Sequence, residues 1–269
     1  MISRSLSSGS ILRDSKANKV GLSYALDGTM RRGAHDMKTF GSGTLRALAT
    51  RNALFEFLDG HRIFYHAMEA ELDAADGPTA NVWKRFQGEL RRFPALEHDC
   101  AVLSKLTGKR ERWQPSPAAA AYVSRLREAG RLERLCGTPV LLGHFYTRYL
   151  ADLFGGSMLG WPTKLACGLH ETPRFYQHSG ISSLNRGQYV ESIYEALNNA
   201  GRDLSASQES EVVNEATLAF ALNAALYKEG IGGQGTGMLL CAAVGGLNVA
   251  VGFARDRIAG GKKSVFGKL

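Results

Sequence analysis

The sequence predicts an all-α protein, and three observations carry that reading. Residues 144–160 place Phe145, Tyr146, Tyr149, Leu150, Leu153 and Phe154 in the i, i+1, i+4, i+5 rhythm of one helical face. No alternating apolar–polar run is long enough to build a sheet. No internal repeat divides the chain. A length of 269 residues allows one large domain or two small ones. The helical patterning favours a single domain, residues 21–230, with tails. Residues 1–20 read as a disordered or targeting segment. Residues 231–269 read as a glycine-rich linker, an apolar stretch and a basic end.

Charge supports this division. The net charge is +8, but residues 1–32 hold six Lys/Arg against two Asp, and residues 255–269 hold five against one. Each end carries +4 and the middle sums to zero. A nucleic-acid binder concentrates positive charge on its folded face, whereas basic ends suit an anionic membrane surface or targeting. Cys100, Cys136, Cys167 and Cys241 are far apart and form no metal-ligand pair, so reduced thiols are expected. The N-terminus lacks the continuous apolar core of a secretory signal. It is Ser-rich and basic, which fits a transit peptide or a disordered tail.

Taken in order, the elements are as follows. A first helix covers residues 22–36, and Gly41-Ser-Gly43 is expected to break the chain before the next. Residues 45–73 form one or two helices, with Leu54, Phe57, Leu58, Phe64, Tyr65 and Met68 inward and Glu69, Glu71 and Asp73 on a solvated face. A loop at 74–79 precedes a helical stretch at 82–106 that Pro94 bends or ends. Ser116-Pro117 carries an N-cap followed by a first-turn proline, opening a helix over 118–134. Gly137-Thr-Pro139 starts the central helix, and Trp161-Pro162 and Glu171-Thr-Pro173 punctuate a variable region after it. A helix follows at 187–200, then a last one opened by the capping-box spacing Ser205-Ala-Ser-Gln208.

The central helix holds the least ordinary feature. Gly155 and Gly156 sit where the apolar pattern should continue. Each glycine costs about 1 kcal/mol against Ala inside a helix. Such a pair marks a kink, a bare backbone on which something lies flat, or a C-cap. Arg148 and Asp152 share a face at i, i+4 beside the aromatic seam.

The stretch Tyr146-Thr-Arg-Tyr-Leu-Ala-Asp-Leu-Phe-Gly-Gly156 resembles the distal-helix signature of haem oxygenases. Four further blocks resemble that family in order: 64–72, 89–99, 121–130 and 215–223. The resemblance runs from about Leu22 to Glu229. It implies a single haem oxygenase-like helical bundle that cleaves haem to biliverdin, CO and ferrous iron. The reaction would use O₂ and electrons from a reductase or ferredoxin. A non-catalytic haem binder or sensor on the same fold is the alternative.

The resemblance also assigns residues. His35 matches the proximal iron ligand, with spacing one residue longer than in the family, and Thr39 stands where the family has a glutamate. Asp152 would hold an ordered water that donates a proton, with Tyr65 and Arg148 completing the network. Gly155, Gly156, Ala151, Tyr146, Phe220 and Asn223 match positions against the haem, and Ala151 stands where glycine is usual. The family's propionate-binding bases align with Val190 and Tyr194. Arg31 is therefore the foremost substitute, with Arg186, Lys19 and Arg32 behind it.

Residues 238–254 are 17 uncharged residues followed by Arg255, Arg257, Lys262 and Lys263. They would rise about 25 Å as a helix, just short of a bilayer core of about 30 Å. The expectation is a C-terminal membrane helix, a tail anchor on the cytosolic face, or else a helix packed on the domain. Plastid or mitochondrial targeting through the N-terminus is the alternative location. No nucleic-acid partner is expected.

Overall fold

The computed structural model describes residues 15–34, 37–110, 114–181, 185–229 and 236–258. Among them there are helices and no strands. Chain order gives α1 (Gly21–Arg31), α2 (Met37–Ala47), α3 (Arg51–Asp73), α4 (Gly77–Leu90), α5 (Phe93–Thr107) and α6 (Pro117–Cys136). A continuous helical rod follows over residues 141–167. It comprises α7 (Leu141–Phe145), π-helical turns at Tyr146–Leu150 and Asp152–Gly156, and α8 (Ser157–Cys167). A 3₁₀ turn (Arg174–Tyr176), α9 (Arg186–Gly201), α10 (Ala206–Lys228) and α11 (Thr236–Ile258) complete the chain.

Caps set several of these boundaries as the sequence signals them. Ser116 accepts from the Ala119 amide with Pro117 in the first turn. Ser205 and Gln208 form the reciprocal capping box of α10. Other boundaries differ. Gly41-Ser-Gly43 lies inside α2, and the break falls after Ala47, where Thr50 caps α3. Packing explains this: Gly43 lies so close to the Tyr227 backbone and ring that a side chain would not fit. The first helix stops at Arg31 rather than continuing to residue 36. Pro162 sits within α8, so the rod runs through the Trp161-Pro162 pair and ends only at Cys167. Residues 15–20, expected in the N-terminal tail, pack on α9. The Lys16 and Ala17 amides donate to Glu191, and Asn198 donates to the Ala17 carbonyl.

One core joins these elements. Its largest fully buried side chains include Trp83, Arg62, Tyr65, Tyr122, Tyr146 and Tyr149. Long α3 packs along α5 and α6, while α10 crosses α7. At that crossing Gly143 approaches the backbone of Val212 and Ala216, too close for any side chain. Glycine there brings the rod and α10 into backbone contact, and this sets where His144 and Arg148 fall.

α11 is the one described helix long and apolar enough to cross a membrane, over Leu239–Arg257. One face packs between α2 and α8. Gly245 meets the Leu45 carbonyl, Gly252 meets Leu165, and Asn248 donates to the carbonyls of Leu48 and Ala49. Trp161 and Phe253 meet edge to face, with ring centroids 4.4 Å apart. The other face exposes Leu239, Leu240, Val244, Leu247 and Val251.

Candidate functional site

The site is built on the rod. A π-helical turn widens the helix by one residue and redirects the side chains around it. Here two such turns flank Ala151. They leave Arg148 and Asp152 pointing together into the core, both almost fully buried. The Arg148 Nη2 donates to Asp152 Oδ1 at 3.3 Å. Tyr65, from the middle of α3, donates its hydroxyl to Asp152 Oδ2. Arg148 Nε and Nη2 donate in turn to the Tyr65 oxygen at 3.3 and 3.2 Å. Tyr227 of α10 faces the same guanidinium. The sequence-predicted trio of Asp152, Tyr65 and Arg148 is thus one hydrogen-bonded cluster.

Its electrostatics follow from burial. Burial pushes the Asp152 carboxyl above the ordinary aspartate value, and the nearby Arg148 and the Tyr65 hydroxyl only partly reverse this. Burial likewise raises the Tyr65 phenol. Arg148 stays firmly charged, because Tyr65 and Asp152 outweigh its own desolvation. The result is a carboxyl that binds a proton more tightly than a surface aspartate, held beside a permanent cation.

One turn further along the rod, the glycine pair meets little. A Cβ built at Gly155 finds nothing within 4 Å, and Gly155 is exposed. At Gly156 only Asp152 and the Ala151 carbonyl are within ordinary contact. The rod therefore does not end at a glycine C-cap. It presents bare backbone beside the Asp152 cluster, which suits a flat ligand. Ala151, between the two π-helical turns, is partly exposed.

The remaining predicted residues are distributed around this wall. Tyr146 is buried and donates to Asp27 Oδ1 at 3.3 Å, tying the rod to α1. Arg31 pairs with the same Asp27 and lies over the Tyr24 ring. It is half exposed. Arg186, at the start of α9, donates Nη1 to Ser157 Oγ at 3.0 Å, immediately beyond Gly156. Phe220 and Asn223 are buried in α10, and Asn223 Oδ1 has no hydrogen-bond partner. His35 lies outside the described residues.

Three features escape the sequence reading. Glu69, expected in solvent, is buried; it accepts from the Arg92 and Phe93 amides and from the Tyr149 hydroxyl. Burial raises its carboxyl to about 7 against the pull of those donors. His61, one turn before Tyr65, is buried with its Nδ1 2.8 Å from the Phe57 carbonyl. Its spacing of four from Tyr65 was the available signal. A second charged cluster joins His144 and Arg125 to Glu215, with His144 Nε2 2.8 Å from Oε1. No local pattern marks that long-range pairing.

Comparison with known proteins gives the family. Residues 34–229 match the family model described as Heme oxygenase. The chain is 31% identical over 221 residues to heme oxygenase 1 of Nostoc sp., covering 79% of this chain and 84% of that protein. It is 32% identical over 172 residues to heme oxygenase 1 of Pongo abelii, covering 61% of this chain and 55% of that one. The chain thus spans about half the length of that mammalian relative. A solved structure of heme oxygenase-2 from Synechocystis sp., in complex with heme and NO, superposes with a TM-score of 0.64 at 25% identity. That superposition covers 84% of this chain and 91% of the other.

Proposed function

The chain belongs to the haem oxygenase family, and from that premise we propose that it oxidatively cleaves haem, which serves as both cofactor and substrate. The observation that carries the reading is the open backbone at Gly155 beside the buried Asp152–Tyr65–Arg148 cluster. Bound haem supplies the iron at which O₂ is activated and the macrocycle that is cut, giving biliverdin, CO and ferrous iron. The residues fit such a group. A Cβ-free wall accepts a flat plate, and Arg186 beside it suits carboxylate edges. His35, just before α2 in the sequence, would supply an imidazole to hold the iron.

The chain's own residues then divide the work. The Gly155–Gly156 backbone supports the plate and leaves no side chain to compete for space. Asp152 orients water toward the reacting face and takes part in proton delivery, its proton affinity raised by burial above that of a surface aspartate. Tyr65 fixes the orientation of that carboxyl through its hydroxyl. Arg148 stabilises the carboxylate that Asp152 becomes as the proton leaves. Phe220 and Asn223 close the α10 side, and the orphan Asn223 oxygen is a ready acceptor for a pocket water. Electrons would come from an external reductase or ferredoxin.

Membrane association is proposed through α11. Its apolar ridge and the following Arg255 and Arg257 suit an anionic lipid surface. Flotation of the full chain with anionic vesicles, lost when residues 236–269 are removed, tests this. Organelle targeting by residues 1–14 lies outside the described residues.

Titration with hemin followed by aerobic reduction tests the main reading. A Soret band that gives way to bilin absorbance is expected. A stable ferrous complex with no bilin would refute catalysis and leave a haem binder. Gly155→Leu should weaken hemin binding at least about tenfold, by placing a side chain on the wall.

A further inference from the structure

Asp152 and Tyr65 are sealed from solvent, so each proton given up there must be replaced along some hydrated route. A cavity of about 450 Å³ lies beside α3 and reaches inward to His61. Glu56, Lys109, Ser116 and Glu229 line its more exposed part, while Phe57 and His61 line it where the protein is buried. His61 lies one turn before Tyr65 on the same face of α3. The rings of Phe57, Phe64, Phe175 and Tyr227 surround it, at centroid distances from 4.2 to 5.7 Å. Phe175 and Phe64 also touch Tyr65, and Tyr227 also faces Arg148. His61 thus stands between the cavity and the buried cluster.

The two ring nitrogens are not equivalent. A carbonyl only accepts, so the 2.8 Å contact with Phe57 assigns the proton to Nδ1. Nε2 therefore carries a lone pair, and it has no partner although it is buried. An unpaired buried acceptor costs about 1–3 kcal/mol. An apolar residue would avoid that cost in this aromatic surround, so the lone pair calls for a donor. A water molecule from the adjoining cavity is the donor within reach.

We propose that His61 is a positioning residue for proton supply: its Nε2 anchors an ordered water that links this cavity to the Tyr65–Arg148–Asp152 cluster. The proposal rests on the reading of Asp152 as the proton source. His61 carries no proton itself. Burial, then the charge of Arg148, holds its imidazole neutral with a pKa of about 3. It fixes the water, and protons lost from Asp152 are restored from bulk solvent through that water.

A high-resolution crystal structure of the haem-free protein should contain a water within about 3 Å of His61 Nε2. A dry Nε2 overturns the proposal without touching the role of Asp152. In the hemin-loaded protein, His61→Leu should lower bilin formation about tenfold and raise the solvent deuterium isotope effect, with hemin affinity unchanged. His61→Gln, whose amide oxygen accepts, should recover most of the rate. Gly60→Leu, directed into the same cavity from a residue with room for a side chain, serves where His61→Leu does not fold. Unchanged rate and isotope effect in these variants overturn the proposal. Asp152→Asn turning over at the wild-type rate would instead overturn the reading on which it rests.

Discussion

His144 and Arg148 sit one turn apart on the rod, and each enters a buried cluster, but the two clusters shift their carboxyl groups in opposite directions. At His144, burial pushes Glu215 up, yet the bonds from Arg125 and His144 win and hold its carboxyl down at about 2. At Arg148, burial wins and Asp152 is raised. Glu215 is committed as an anion that pins α10 to α6 and the rod. Asp152 is held less firmly in its charged form. The difference lies in donors: Glu215 receives a two-pronged Arg125 contact from another helix, whereas Asp152 has one longer Arg148 bond at 3.3 Å and a neutral phenol. The two clusters can therefore be told apart by whether bonding or burial controls the carboxyl.

The largest test breaks the clamp. Glu215→Ala should destabilise the fold by about 3 kcal/mol, because His144 and Arg125 lose their shared partner. Urea unfolding reads it, and a loss under 1 kcal/mol would show that Glu215 is no clamp. Asp152→Asn should do the reverse. It removes a carboxyl whose charge is disfavoured by burial, so unfolding free energy stays within about 1 kcal/mol. Bilin formation should nevertheless fall about a hundredfold. Loss of stability with retained turnover would invert the assignment.

Acid titration sharpens the contrast by sign. Glu215 has a lower pKa folded than unfolded, so its stabilisation is fully present above about 4.5 and is lost as pH falls toward about 2. Asp152 has a higher pKa folded, so its ionisation weakens the fold as pH rises through that value. Stability of Glu215→Gln should fall less steeply than wild type below pH 4.5, and Asp152→Asn should lack the opposite trend. Parallel curves for all three proteins would remove the distinction. The smallest effect expected is for Tyr65→Phe, which keeps the ring packing and deletes one hydrogen bond. Turnover should drop several-fold and stability by about 1 kcal/mol. Steady-state rates and thermal unfolding measure both.

Local patterns made much of this readable. Ser116-Pro117 and the Ser205–Gln208 box name their own helix starts, because capping is satisfied within four residues. Arg148 and Asp152 announce a shared face by spacing alone. Trp161-Pro162 and Gly41-Ser-Gly43 misled, because they are breakers by local propensity while neighbours hold them in helices. The sequence offered several cations, and only packing put Arg186 beside Ser157 and Arg31 on Asp27.

The sequence by itself determined an all-α chain, a glycine interruption in its central helix, and a titratable pair one turn before it. These are short-range properties, encoded in periodicity, capping and backbone cost. Only the tertiary structure decided that Glu69 is buried, that the Glu215 carboxyl is held down while that of Asp152 is pushed up, and that α11 folds one face back onto α2 and α8. Those outcomes depend on which distant groups desolvate or pair with a residue, and such distances have no signature along the chain.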